Sequence, residues 1–480
     1  MAYTIIIIYL VAIFVIAFLS KRVEIQEVGH EQDIIEGQYL ASRSLTFWES
    51  LGSIIATEVS ALTFLGIPAF AYAKDFSFVQ IYIGAILGRW VIAKYFLPQV
   101  YAKGLTVYSI ITNVKGNPGT LAAQKITTLI YMISKILAVG VRLYSGSILV
   151  AQFFHLHIFT AITLILFLTL IYTSIGGLKA VVRTDLLQAL IFIAGGLFAH
   201  YYIPQIVNTG WGHLWTIANT HGKTAVWDIN HPYSLFIGIF GGILFDMATH
   251  GVDQDFTQRI MATKTIKTGQ RAIFYSSFFS IAVGLLFLSI GALLFACNTI
   301  KAWPPEITPD HLFAYVITTY FPAPMQGFML AGVVAATMST LDSTINALSS
   351  CLWNDIFTKR KLLNLRRHMH QDGLLISVLL LFIALLSSKS NGLLELGLKV
   401  ASWSGGALVA FFMARLLWNK CLRVHYSAAL VLSGYGANLI AVYINTYIIA
   451  GAWQWNVYIG ATATLAVFAL FSRPRPIACN

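Results

Sequence analysis

The sequence predicts an all-α integral membrane protein of about 13 transmembrane helices, and three observations carry that prediction. Of the 480 residues, 58% are hydrophobic and only 10% are charged, against roughly 25% charged in a soluble globular domain. Thirteen stretches each supply the roughly 20 mainly apolar residues that a helix needs to cross a bilayer. Ionisable and hydroxyl side chains gather in a few of those stretches, the pattern of helices that enclose a path through the membrane. This composition excludes a cytosolic enzyme, a secreted domain and a disordered chain.

The stretches are 3–20, 47–73, 78–98, 122–152, 156–175, 184–205, 233–256, 272–297, 325–357, 372–389, 393–418, 424–445 and 452–472, numbered below as spans 1 to 13. Span 1 lacks the basic leader of a signal peptide, and Lys21 and Arg22 follow its apolar run, so it reads as a retained helix. The loop 206–232 holds Trp211, Trp215 and Trp227, which suits a segment lying at the interface. A second loop, 298–324, contains Trp303, Pro304 and Pro305. The tail after span 13 is about eight residues long, so no receptor or kinase domain is expected.

Orientation follows from the basic residues. Placing the N-terminus outside puts 22 of the 31 Lys and Arg in cytoplasmic segments and four, Lys74, Lys223, Lys301 and Lys389, in outer loops. That bias predicts N-terminus out and C-terminus cytoplasmic. It also explains the net charge of +12 without nucleic-acid binding. Cys297, Cys351, Cys421 and Cys479 are scattered and suggest neither a disulfide framework nor a zinc site.

Span 2 carries Thr57, Glu58 and Ser60 at mid-membrane, followed by Gly66 and Pro68. In span 7, Gly238, Gly241, Gly242 and Gly251 surround Asp246, Thr249, His250 and Asp253. Both are expected to be interrupted partway across. Their starts lie five spans apart, which predicts two five-helix repeats, the second inverted because each repeat has an odd number of spans. Broken helices in inverted repeats are how secondary transporters build a midplane site for ions and solute. The expected organisation is an extra helix and cytoplasmic loop (1–46), a first repeat (47–205), an extracellular loop (206–232), a second repeat (233–418), then two helices and a short tail (419–480).

Span 9 sets Ala336, Ser339, Thr340, Asp342, Ser343 and Asn346 at helical spacing, so most share one face. Such hydroxyls can serve only close helix packing. Several of them with a carboxylate also make hard oxygen ligands for a small cation such as sodium.

The stretches ATEVSALTFLGIP from Ala56, GGLKAVVRTDLLQALIFIAGG from Gly176, DQDFTQRIMATKTIKTGQRA from Asp253 and AATMSTLDSTINALSS from Ala335 resemble the sodium:solute symporter family. YLASRSL from Tyr39 adds to the likeness, which covers nearly the whole chain. The resemblance implies the leucine-transporter-type fold of inverted five-helix repeats, with extra helices at both ends. It also implies a sodium site between spans 2 and 9, built from the carbonyls of Ala56, Val59 and Ala336 and the hydroxyls of Ser339 and Thr340. Some members have a second sodium site, which here would be Asp185, Ser339, Asp342 and Ser343. Asp342 stands where relatives often have Ser or Ala, so it could strengthen that site or take a proton in place of the ion.

For the solute, the expected pocket residues are Glu58, Ser60, Gln80, Arg142, Asp246, Thr249 and His250, with Arg142 neutralising Glu58 or clamping a solute carboxylate. Arg89 and Lys94 are expected to snorkel towards the cytoplasmic face, and Lys135 to be structural. A sodium-driven symporter of a small carboxylated or zwitterionic solute is the reading that results, with the chain acting as a monomer in the bilayer of a cell (inner) membrane. A proton-coupled carrier on the same fold and a solute sensor are the alternatives. An enzyme is not expected, since no GxSxG or HExxH constellation is present.

Overall fold

The computed structural model describes residues 1–26, 31–101, 106–111, 118–227, 235–357, 365–417, 422–423, 427–471 and 473–474. Helices α1 (Ala2–Gln26) and α2 (Glu31–Leu40) precede the first interrupted span, α3 (Phe47–Glu58) and α4 (Ile67–Ala73), which are joined through a π-helical turn at Leu62–Gly66. Helix α5 (Val79–Val91) continues through a π turn at Ile92–Phe96 into α6 (Leu97–Val100), and α7 (Tyr108–Ile111) leads to α8 (Pro118–Phe154) and α9 (Ile158–Ile206). The surface helix α10 (Trp211–Thr220) comes before the second interrupted span, α11 (Leu235–Asp246), a π turn at Met247–Gly251 and α12 (Gln254–Met261). The rest are α13 (Ile266–Ile300), α14 (Pro309–Tyr320), α15 (Ala323–Cys351), α16 (Leu365–Ser387), α17 (Leu393–Leu417), α18 (Ala428–Tyr443) and α19 (Asn456–Leu470). Two two-residue strands, Leu422–Arg423 and Arg473–Pro474, pair antiparallel.

Among the described residues, nine helices are long and apolar enough to cross a membrane, and a tenth crossing is the bent pair α3–α4, whose halves meet at 57°. The shorter apolar helices Ile158–Thr173 and Phe236–Gly251 match predicted spans 5 and 7, and α19, at 15 residues, falls within span 13. The count of 13 is therefore met only by including helices shorter than a full crossing.

Spans 5 and 6 form one helical segment of 49 residues, yet α9 is not a straight rod. Asp185 bonds Ser339 of α15, and Ile191 and Phe192 lie against Gly332, so α9 and α15 run antiparallel there. Continued straight, Tyr172 would face the chain well beyond Asp342; instead its hydroxyl reaches Asp342 itself. Tyr172, near the end of the half 158–173, therefore returns to the stretch of α15 that the half 178–206 also meets.

Local chemistry sets the first break. Thr46 and Glu49 form a capping box at the start of α3. At its other end the Ser60 N–H turns to Glu58 O (3.0 Å) instead of continuing the ladder to Ala56 O. Close helix crossings use glycine: a Cβ on Gly84 of α5 would lie 2.2 Å from Ile239 O of α11, and one on Gly242 would lie 2.5 Å from Ile81 O. The predicted outer loop 298–324 is partly helical, because α14 packs on the first break, where Phe313 stacks on Phe64 at 5.4 Å. Burial ranks the helices: 94% of the most apolar window of α15 is buried, against 28% for α1. The hydroxyl-rich helix is thus the axis of the bundle.

Candidate functional site

Beside the two interrupted spans lies a cavity of about 110 Å³. The first break presents Glu58, Val59 and Ser60 to it, the second presents Asp246, Thr249 and His250, and Arg142 enters from α8. The rest of the lining is largely apolar, including Phe78, Tyr82 and Phe256. Six of the seven predicted pocket residues therefore meet in one place.

Gln80 does not. It is fully buried, and its amide donates to Val226 O, tying α5 to the outer segment. Its position near the start of span 3 suggested the pocket, but the side chain is directed against Gly238 of α11.

The cation that neutralises Glu58 is Arg89, not Arg142. Arg89 Nη2 lies 2.7 Å from Glu58 Oε1, and Nε lies 3.3 Å from Asp246 Oδ1. Its remaining donors go to Ser276 (2.6 Å), Ser280 (3.1 Å) and His250 Nε2 (3.1 Å). All five N–H groups of this guanidinium are thus engaged. Because arginine only donates, His250 Nε2 accepts, and Nδ1 carries its proton towards Asp246 Oδ1 (3.0 Å). The expectation that Arg89 snorkels fails, since the residue is 0% exposed. Lys94 does reach outward, over the rings of Trp90 and Tyr95.

Arg142 is half-buried in the cavity wall. Among the described residues it has no hydrogen-bond or ion-pair partner, while Asp246 Oδ2 is buried without one. Removed from water, both groups favour a ligand that supplies the missing contacts.

Next to the cavity the first break meets α15. A Cβ on Gly146 of α8 would touch both Ala61 and Thr337, so the chain after Ser60 lies against α15. One turn before Ala56, Ser53 donates to Asp185, and Ser339 donates to the other oxygen of the same carboxylate. Thr340 donates to Ala336 O at 3.0 Å. Ala56, Val59, Ala336, Ser339 and Thr340 are all buried. The Ala56 carbonyl, left without the Ser60 N–H by the break, and the hydroxyls of Ser339 and Thr340 are buried oxygens of the kind a hard monovalent cation takes.

A second charged cluster lies on the other side of Asp185. Asp185, Ser339, Asp342 and Ser343 do converge, with Tyr172 donating to Asp342. Arg259, which follows span 7, is 0% exposed and bonds Asp185 Oδ2 (3.2 Å), Asp255 Oδ1 (2.6 Å), Ser53 (2.7 Å) and Ser343. Lys135, expected to be bland, lies 2.8 Å from Asp253 and 3.0 Å from Asp255. Asp185 therefore pairs with Arg259 of α12. Sequence reasoning missed both arginines. The usable signals were an ionisable residue within span 3 and the Asp255–Arg259 pair at i, i+4.

Comparison with known proteins agrees with this architecture. The chain is 26% identical over 318 residues to a sodium/sialic acid symporter of Proteus mirabilis, covering 65% of this chain and 64% of that protein. It is 25% identical over 389 residues to human sodium-coupled monocarboxylate transporter 2, covering 78% and 62%. It thus spans less than two thirds of the length of either. Among solved structures, a substrate-bound outward-open state of a Na⁺-coupled sialic acid symporter superposes with a TM-score of 0.84 at 20% identity, over 99% of this chain and 98% of that one. That likeness shows the leucine-transporter-type fold. The sequence profile of the sodium:solute symporter family matches residues 38–431, and with most of its length inside that match this chain belongs to the sodium:solute symporter family.

Proposed function

We propose that the chain is a sodium-coupled symporter that imports a small carboxylated solute by alternating access. One observation supports this reading: the break after Glu58 leaves the Ala56 carbonyl without the Ser60 N–H, and the same break lines a cavity that holds Arg142, which has no partner among the described residues. In this reading Ala56, Val59, Ala336, Ser339 and Thr340 hold the sodium. The ion draws α3 and α15 together and so favours the form that receives solute. Arg142 binds the carboxylate, and Asp246 Oδ2 accepts a hydrogen bond from a hydroxyl or amine of the same molecule. Glu58, Ser60, Thr249 and His250 line the pocket and orient the ligand.

The volume argues for a small solute. A cavity of about 110 Å³ is smaller than the ~150 Å³ site that accommodates benzene, which favours a short carboxylate or amino acid over a sugar acid. The names of the two relatives point to carboxylate-bearing solutes as well. Dividing the chain into repeats at 47–205 and 233–418 puts a broken helix at the head of each, where rocking of one repeat against the other opens the site alternately. The basic residues favour an N-terminus outside, and in this reading the protein is multi-pass in a cell (inner) membrane, acts as a monomer and catalyses no chemical step. A sodium ion moving inward gains about 2.3 kcal/mol per 100 mV, so a single ion drives useful accumulation.

The test is uptake into proteoliposomes of radiolabelled short carboxylates and amino acids, with external sodium replaced by choline at fixed pH. Uptake should collapse in choline. Undiminished uptake would overturn sodium coupling and favour a proton-driven carrier, while binding without counterflow would identify a sensor.

A further inference from the structure

The four residues matched to a second sodium site, Asp185, Ser339, Asp342 and Ser343, are each at most 1% exposed. A guanidinium lies among them, bonded to Asp185 and Ser343. Arg259 Nη2 donates to Asp185 Oδ2 (3.2 Å) and to Ser343 Oγ. Nε donates to Ser53 Oγ (2.7 Å), and Nη1 donates to Asp255 O (2.7 Å) and Asp255 Oδ1 (2.6 Å). Five donors meet five acceptors, so the group has no unmet hydrogen bond that would drive it elsewhere.

Its anchor is also braced. Asp255 is one helical turn from Arg259 on α12, and its other carboxylate oxygen lies 3.0 Å from Lys135 of α8. Asp185 Oδ2 already accepts from Ser53 and Arg259, Asp185 Oδ1 from Ser339 and Ser343 Oγ from Arg259, so a sodium ion there would compete for these oxygens next to a fixed positive charge in a dry environment.

We propose that Arg259 is a tethered cation occupying the second sodium position, so that this chain binds one sodium where some members of its family bind two. This inference rests on the sodium-symport reading above and fixes its ion count. It assigns Arg259, Asp255 and Lys135 to holding the middle of α9, at Asp185, against α3 and α15 without a second ion. Ser343 then serves the arginine and not the transported cation.

The experiment is equilibrium binding of ²²Na⁺ to the purified full-length chain by scintillation proximity. The wild-type protein should bind one ²²Na⁺ per chain with a Hill coefficient near one, and Ser343→Ala should leave that capacity unchanged. Arg259→Gln, if it folds, should raise the capacity towards two. Two ²²Na⁺ on the wild type, falling to one in Ser343→Ala, would overturn the proposal. A folded Arg259→Gln that still binds one would do so too, since the guanidinium would then occupy no sodium position. If Arg259→Gln does not fold, the wild-type count and the Ser343→Ala result decide the matter. No ²²Na⁺ binding at all, or binding indifferent to Ser339→Ala/Thr340→Ala, would instead sink the symport reading.

Discussion

Two buried arginines, Arg89 and Arg259, make an instructive pair. Each is 0% exposed, each uses all five donors, and each pairs with two carboxylates drawn from different helices. Their surroundings differ. The Arg89 cluster opens on the cavity: the Glu58 side chain retains 18% exposure, and Asp246 keeps one oxygen unpartnered. The Arg259 cluster is sealed, with Asp185 and Asp255 fully buried and every donor of the arginine returned to the protein. The same chemistry at the two places therefore has opposite uses. Near the cavity it leaves groups that can exchange partners with a ligand, whereas deeper in the bundle it joins helices and leaves no vacancy.

The largest expected effect separates the two clusters by stability. Arg259→Met leaves Asp185 buried without a counter-charge and Asp255 with Lys135 alone, and should cost about 3–5 kcal/mol, as breaking a buried ion pair does. Arg89→Met should cost less, because Glu58 can be solvated from the cavity. Thermal unfolding of both variants in detergent checks this, and equal losses would erase the distinction drawn above. Next comes Arg142→Gln, which should weaken binding of a carboxylated solute by about 2–5 kcal/mol, the range for truncating one partner of a buried charge pair. Its melting temperature should stay close to wild type, since Arg142 has no protein partner among the described residues. A destabilised variant with intact solute affinity would make Arg142 structural.

Ser339→Ala with Thr340→Ala should raise the sodium concentration that half-saturates uptake by tenfold or more, in line with about 1.5–3 kcal/mol for hydrogen-bonding groups facing a charge. Unchanged sodium dependence would remove these hydroxyls from the ion site. The smallest effect concerns packing alone. Gly84→Ala places a methyl 2.2 Å from a backbone oxygen of α11, and the resulting overpacking should cost about 1–3 kcal/mol. Because α11 leads into the second break, sodium and solute affinities measured on that variant also report how far the cavity tolerates a shift of its wall.

Much of the site was legible because its signals are local. Glycines and a proline beside mid-membrane polar residues marked both breaks, and hydroxyls at helical spacing marked α15. Glu58, Ser60, Asp246, Thr249 and His250 sit at those breaks, which is why they meet at the cavity. Gln80 was misplaced because residues 78–81 carry no such signal, and the direction of one side chain depends on the neighbouring helix, here α11 at Gly238. Tyr172 gave no warning at all: an aromatic residue in an apolar run reads as packing, yet its hydroxyl meets Asp342.

Composition and motif order by themselves determined that this chain lives in a bilayer, which helices are interrupted and which family it resembles, because hydropathy and helix-breaking residues act over a turn or two of chain. Only the tertiary structure decided which charges pair. Arg89 finds Asp246 across 157 residues, and Arg259 finds Asp185 across 74. Partners that far apart are chosen by how helices cross. A buried charge takes whichever counter-charge the packing brings within reach, since no solvent remains to serve in its stead.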